Sequence, residues 1–435
     1  MTRPGPPPLP LLFLIGDTGG GHRSAAQAVV QALDRAYPGR FAPVIWDPLR
    51  GPASPLRLRW LVSLYGPCIR LTPWLWGLLW RSCGSPRTLR WARRTLLAPA
   101  NRSVARAVAA TRPAAIVAFH AFTAEPAVRA RDWAAPGIPV ITVITDLITT
   151  HLAWRDAAVD LVVVPSAPVA RRCALDGTPD SRYVEIGLPV AADFSAARAG
   201  AAGQDALRRS LGLRSGRFLV LVTGGAEGSG GIYRRAAAIL REFDDVDVAV
   251  ICGRNRRLRR RMHRLAARTA GRLTVRGFVG NMADWLRCAD IVVGKAGPGT
   301  IAEATCCAAP LVLTSYLPGQ EEGNAAFVVS AGAGRYAPGR RDLVAEIRRL
   351  RRNPAALAAM RAASAGLSRP GAAAEIARTL ADLAARQASG GQQAPADREA
   401  ASGRGQDLFG AVAGRHAAWR YRPEHRDLGA APADR

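Results

Sequence analysis

Lysine is all but missing from this chain: of 60 basic residues, 59 are arginine and one is Lys295. Long hydrophobic runs are missing too. No stretch reaches about 18 apolar residues, which excludes an ordinary transmembrane helix. The seven cysteines form no Cys-x-x-Cys pair and no even framework, so a zinc ribbon and a disulfide scaffold drop out and free thiols in a reducing compartment fit. Aromatic residues make up 6% of the chain. None interleaves with the arginine cluster at 254–264, where a nucleic-acid surface would need them for base stacking, and no DNA or RNA motif accompanies the charge. The N-terminus carries only Arg3, a proline run and apolar residues 9–15 that end at Gly16-Asp17. That ending lacks a small-residue cleavage site and reads as a first β-strand rather than a signal peptide.

What is present is size, charge and glycine. A length of 435 residues predicts two lobes, since single cores stop growing at about 250 to 300 residues. Hydrophobic content of 49% and charged content of 21% are globular values. The formal charge of +27 favours anionic partners, whether nucleic acid, acidic substrates or lipid headgroups; its bland alternative is an arginine-rich composition with no single partner. Seven arginines within 254–264 suit a solvated helix face or an anion site.

Apolar runs alternate with amphipathic stretches in both halves, the pattern of parallel βα units. Strands are expected at 11–15, 41–46, 114–119, 140–145, 161–165 and 183–186, and again at 218–222, 246–252, 273–275, 291–293 and 310–314. Each half forms its own doubly wound sheet. The expected division is a first domain at 9–190, a linker at 191–215, a second domain at 216–385 and a disordered tail at 388–435.

Three glycine loops lie at strand ends, where open α/β sheets bind ligands. The first, Asp17-Thr18-Gly19-Gly20-Gly21-His22, runs into a helix, and His22 there is either a cap or a functional group. The second follows the first strand of the second sheet and contains Gly224, Gly225 and Glu227. The third surrounds the lone lysine: Lys295-Ala296-Gly297-Pro298-Gly299-Thr300, with Glu303 one turn into the following helix. Proline near a helix start, glycines and free N-terminal amides favour an anion such as a diphosphate. Glu303 either reaches a ribose or simply favours the first turn. Gln320, Glu321 and Asn324 follow another strand and suit either a hydroxyl-rich ligand or a helix cap.

Together these segments resemble the monogalactosyldiacylglycerol synthase and processive diacylglycerol glucosyltransferase family, glycosyltransferases of the GT-B fold related to the peptidoglycan N-acetylglucosaminyltransferase. The similar segments are 16–24, 145–154, 185–190, 224–228, 277–285, 295–304 and 318–324, and they cover most of residues 9–385. The resemblance implies two Rossmann-like lobes facing across a cleft, the first for a lipid acceptor and the second for a UDP-sugar. Carried over, the loop with Ala296, Gly297, Gly299 and Thr300 holds the UDP phosphates, Glu303 the ribose and Phe278 the uracil border. Gln320 and Glu321 meet the hexose, with Asn324 beside them; Gly224, Gly225, Glu227, Arg254 and Asn255 line the donor cleft. On the acceptor side stand Gly19, Gly20, Gly21, His151 and Trp154. Leu152 occupies a place where the family has proline, which bears on the acceptor more than on the reaction.

The implied reaction is an inverting displacement in which a glycerol hydroxyl of a diacylglycerol-type lipid attacks the anomeric carbon of a UDP-hexose. His22 is the first candidate base, since an unperturbed imidazole titrates near about 6.5; Asp146 orients or replaces it. No Asp-x-Asp pair lies beside the third loop, so no obligatory metal or other cofactor is expected. Residues 56–80 mix arginine with leucine and tryptophan and suit a membrane interface, or else cover the first core. Peripheral association with an anionic membrane on the cytoplasmic side follows. A peptidoglycan-type transferase or a sugar-nucleotide epimerase on the same fold is the near rival, and a basic nucleic-acid binder the distant one.

Overall fold

The computed structural model describes residues 7–17, 20–50, 54, 56–154, 158–196 and 200–390. It contains two wholly parallel six-stranded sheets. The first is built from β1 (Leu9–Leu14), β2 (Phe41–Trp46), β3 (Ala115–Ala118), β4 (Val140–Val143), β5 (Leu161–Val164) and β6 (Tyr183–Glu185), in the order β2-β1-β3-β4-β5-β6. The second comprises β7 (Phe218–Thr223), β8 (Val246–Ile251), β9 (Leu273–Arg276), β10 (Ile291–Lys295), β11 (Leu311–Ser315) and β12 (Gly334–Tyr336), in the order β12-β11-β10-β7-β8-β9.

Both sheets are covered on two faces, which explains the near-continuous apolar strands. In β1, Leu11 and Phe13 enter one core while Leu12 and Leu14 enter the other. In β7, Leu219 and Leu221 face one side and Val220 and Val222 the opposite one. Eleven strands fall where apolar runs place them. The twelfth, Gly334-Arg335-Tyr336, is too short and polar to register as a run.

Two domain boundaries change. The expected linker at 191–215 contains helix Ala201–Ser210, and Leu207, Leu211 and Leu213 pack into the core of the second sheet. Arg208 is buried there, donating to the Cys288 carbonyl and pairing with Asp290 at 2.9 Å. Helix Ala372–Gly390, assigned to the second domain as far as 385, returns to the first: Ile376, Ala377, Leu380, Ala381 and Ala384 join the core with β1 and β3. The expected tail begins at 388, inside this helix, and its residues from 391 onward lie outside the described residues.

Candidate functional site

Each sheet has one switch point, where neighbouring strands lead their connections to opposite sides and open a crevice at the carboxyl ends. In the first sheet it lies between β1 and β3, and in the second between β7 and β10. The loops leaving these strands face each other. Gly20 has φ of +86°, a conformation that favours glycine, and a Cβ there would lie 3.1 Å from Ala226 Cβ and 3.5 Å from an Arg254 nitrogen. Glycine therefore lets the two loops approach. Gly21 opens the following helix, and Gly19 lies outside the described residues.

His22 is the second residue of helix Gly21–Ala36 and retains some solvent contact. Its Nδ1 lies 2.8 Å from Thr145 Oγ1, and the Phe119 carbonyl accepts a hydrogen bond from the ring. Enclosure by protein lowers its pKa to about 4, against the opposing effects of that carbonyl and of Asp17. The ring is thus neutral at pH 7, and a freely solvated base titrating near about 6.5 is not what the fold provides. His120, which sequence reasoning passed over, meets the His22 ring edge-on at 4.6 Å. Its position directly after the apolar run of β3 is the signal that could have found it. Burial first, then His22 and His151, keep His120 neutral as well. His151 is buried, its Nδ1 accepts from the Ala153 amide at 3.0 Å, and its ring packs edge-on against Trp80 at 4.8 Å. Among the described residues these side chains form no group of three or more His, Cys, Asp or Glu able to hold a metal ion.

Asp146 sits at the centre of the contacts between lobes. Its Oδ2 accepts from Trp154 Nε1 at 2.5 Å and its Oδ1 from Gln320 Nε2 of the second lobe at 3.1 Å. Burial raises its pKa to about 6, although both hydrogen bonds oppose the rise. Trp154, expected against the acceptor, is 1% exposed in the core of the first sheet and serves to hold Asp146. Glu321, expected on the hexose, is 3% exposed and already committed: it pairs with Lys295 through Oε1 and accepts the Leu317 amide through Oε2. Asn324 is buried too and donates to the Ala296 carbonyl at 2.9 Å. Gln320 Oε1 and Asn324 Oδ1 have no hydrogen-bond partner among the described residues.

On the second lobe, the third glycine loop is narrower as an anion site than its sequence suggests. The Ala296 amide donates to the Ser315 carbonyl and the Gly297 amide to the Lys295 carbonyl, both at 2.8 Å. Helix Pro298–Cys306 begins with proline, so the Gly299 and Thr300 amides are the open donors of its first turn. They lie beside the second glycine loop, since a Cβ on Gly225 would come 4.0 Å from Thr300 Oγ1. Glu303 is partly exposed by area but enclosed enough that burial raises its pKa to about 7, and its carboxylate has no partner among the described residues. Arg254 lies over the Phe278 ring at 5.1 Å, with that ring 61% exposed. Asn255 has a different job: its Oδ1 caps helix Arg256–Ala266 at the Leu258 amide, and its Nδ2 donates to the Gly228 carbonyl near the Gly224-Gly225 turn.

Residues 56–94 fold as four short helices, Leu56–Ser63, Tyr65–Leu71, Pro73–Ser82 and Pro86–Arg94, which reach across to the second lobe. Arg70 pairs with Glu227, which Arg254 also approaches, at 3.6 and 3.8 Å. A Cβ on Gly77 would lie 2.7 Å from Pro318 Cβ, and one on Gly319 would lie 2.6 Å from Trp80 Cδ1. Tyr65 packs edge-on against Trp76 at 4.9 Å. Burial and the nearby Glu321, Asp146 and Glu227 carboxylates push its hydroxyl above the usual phenol range, so it keeps its proton as a donor. The outward side is apolar: Leu56, Trp60, Leu71, Trp74, Leu78 and Trp91 are exposed, among exposed Arg59, Arg87, Arg90 and Arg94. No described helix is long and apolar enough to cross a membrane.

Comparison with known proteins adds to this geometry. A model of monogalactosyldiacylglycerol (MGDG) synthase matches residues 22–190, and one of the glycosyltransferase family 28 C-terminal domain matches residues 219–376. The chain is 32% identical over 353 residues to a probable monogalactosyldiacylglycerol synthase 2, chloroplastic, of Oryza sativa subsp. indica, spanning 78% of this chain and 73% of the relative. It is 30% identical over 337 residues to monogalactosyldiacylglycerol synthase 2, chloroplastic, of Arabidopsis thaliana, spanning 74% and 70%. Among solved structures, Acinetobacter baumannii MurG superposes with a TM-score of 0.56 at 16% identity, covering 86% of this chain and 100% of that one. A Neisseria meningitidis UDP-GlcNAc 2-epimerase gives 0.57 at 13% identity with the same coverage. The structural matches establish the fold, which transferases and epimerases share; the sequence matches separate the two. Two lobes meeting at their switch points, and identity running through both, place this chain in the monogalactosyldiacylglycerol synthase family as a glycosyltransferase of the GT-B fold.

Proposed function

We propose that this protein transfers a hexose, galactose first among the choices, from a UDP-sugar to the free hydroxyl of diacylglycerol, with inversion at the anomeric carbon. The observation that carries this reading is the opposition of two incomplete half-sites across one cleft. The first lobe brings a neutral imidazole at His22. The second brings open helix amides at Gly299 and Thr300 and the Glu303 carboxylate, which has no partner among the described residues. The plant relatives are named for galactosyl transfer to diacylglycerol.

In this reading the UDP diphosphate lies against the Gly299 and Thr300 amides, where the helix dipole stabilises the negative charge of the leaving group. Gly224 and Gly225 keep the neighbouring turn low enough for that approach. Glu303 accepts from the ribose hydroxyls; its raised pKa marks a carboxylate that gains from hydrogen-bond donors. The Arg254 and Phe278 pair borders the base. Gln320 Oε1 and the Tyr65 hydroxyl supply an acceptor and a donor to sugar hydroxyls. The acceptor hydroxyl approaches from the first lobe near Gly20, Gly21 and His22 and attacks the anomeric carbon as the bond to UDP breaks.

The exposed Leu, Trp and Arg face of residues 56–94 is read as the surface that meets an anionic bilayer, with apolar side chains at headgroup depth and arginines among the phosphates. Diacylglycerol enters beside it. The test is a panel of UDP-galactose, UDP-glucose and UDP-N-acetylglucosamine with diacylglycerol in phosphatidylglycerol vesicles. Lipid product from a hexose donor supports the reading; conversion of the free UDP-sugar without lipid product would make the protein an epimerase.

A further inference from the structure

The partners of His22 assign opposite roles to its two nitrogens. The Phe119 carbonyl can only accept, so the ring nitrogen that serves it carries the proton. Phe119 is itself held where β3 ends, its amide donating to the Leu14 carbonyl at 2.8 Å. The other nitrogen, Nδ1, therefore presents a lone pair, and at 2.8 Å the Thr145 hydroxyl has to donate to it. The His120 ring, 4.6 Å away, and Trp154, 6.3 Å away, hold the imidazole in place. The lone pair that a base needs is thus already occupied, by a hydroxyl whose oxygen keeps two lone pairs of its own.

Resting on the reading of His22 as the base, we propose that Thr145 is a catalytic residue of the acceptor site, receiving the lipid hydroxyl's proton at Oγ1 while passing its own to His22 Nδ1. The new bond forms between the lipid oxygen and the anomeric carbon. The carbon–oxygen bond to UDP breaks with its electron pair going to the phosphate, and the proton count closes on an imidazolium that later returns its proton to solvent. Thr145 suits this position because it lies two residues beyond the end of β4, and β4 is paired with β3, just past which the Phe119 carbonyl holds the His22 ring.

The experiment compares the full-length wild type with Thr145→Ser and Thr145→Val, using UDP-galactose and diacylglycerol vesicles in mixtures of H2O and D2O. The relay predicts a loss in kcat of about 100-fold or more for Thr145→Val and retention within about fivefold for Thr145→Ser. It also predicts a donor KM within about twofold of wild type for both variants, because a group acting in the transition state leaves ground-state binding alone. The wild-type proton inventory curves downward, the mark of two protons moving together. Thr145→Val activity within about fivefold of wild type, or a linear inventory, would overturn the proposal in favour of direct contact between the lipid hydroxyl and His22. If Thr145→Val fails to fold, Thr145→Ser and the inventory still decide. Hydrolysis of UDP-galactose by water is followed in parallel. Loss of lipid transfer with the serine and valine pattern preserved in hydrolysis counts against the acceptor and not the relay, whereas loss of the pattern in both overturns the relay.

Discussion

Lys295 spends its charge inside the protein. Its ammonium is paired with Glu321, which is itself buried and also fixes the Leu317 amide. Removing one partner of a buried pair leaves the other uncompensated, at a cost of about 3 to 5 kcal/mol. Thermal denaturation is expected to place Lys295→Ala well below Lys295→Arg in stability. Glu303 meets the ligand in the proposed reaction, so Glu303→Ala is expected to weaken UDP binding by roughly 10- to 100-fold in calorimetry, the value of hydrogen bonds to a charged group, with little loss of stability. The His22 shift gives a pH prediction. Because the folded pKa is lowered to about 4, the ring stays neutral, and kcat/KM on its account is level from about pH 5 upward, then falls about tenfold per unit below about 4. An acid limb centred near 6.5 would contradict it. In stability the sign runs the same way: the unfolded chain takes up this proton below about 6.5 and the folded one only near 4, so stability falls as pH drops through that window. That His22, Asp146 and Glu303 lie just beyond strand ends was legible in the sequence. It was not legible that Asp146 and Gln320 bond across the cleft, since partners 174 residues apart in sequence meet only through the fold. The Asn255 cap is local, three residues before Leu258, and was passed over in favour of the donor-cleft role that the resemblance implies.

At the scale of elements, helix Pro73–Ser82 has two faces with two tasks. Trp76, Gly77 and Trp80 turn inward, with Gly77 and Trp80 against the Pro318-Gly319 turn, while Trp74, Leu78 and Leu79 point outward. Gly77→Val should therefore push Pro318 away, displacing Gln320 and Glu321 just beyond it. Its kcat is expected to fall about 10- to 100-fold, as misplacements near about 1 Å do, with vesicle binding unchanged. Replacing Trp74, Leu78 and Leu79 with serine should do the opposite. Co-sedimentation with phosphatidylglycerol vesicles is expected to weaken by at least about 100-fold, given about 1.5 to 3 kcal/mol for each apolar side chain withdrawn from water. Tryptophan and arginine at 56–80 suggested an interface from sequence alone. The inward half of that stretch was hidden, because a pattern interrupted by Pro67 and Pro73 does not announce which face meets another lobe. Continuous apolar runs, by contrast, marked eleven of twelve strands. Helix Ala372–Gly390 packs on the first sheet, and nothing local in its sequence says so.

Across the whole molecule, the cleft is tied from several directions: Asp146 to Gln320, Arg70 to Glu227, Thr149 to the Gly323 amide, and the last helix back to the first core. Arginine in place of lysine fits these ties, since planar guanidinium groups reach backbone carbonyls and carboxylates together, as Arg208 does. The +27 charge then has a purpose beyond composition if the working surface is an anionic bilayer. The proposed reaction joins a UDP-hexose to diacylglycerol in this cleft with inversion. Its most direct test is to incubate the purified chain with UDP-galactose and diacylglycerol in phosphatidylglycerol vesicles and to read the anomeric proton coupling of the lipid product by NMR. A β-linked galactosyl diacylglycerol formed in step with UDP release is the expected result; an α-linked product, or UDP release with no glycolipid, would contradict the account.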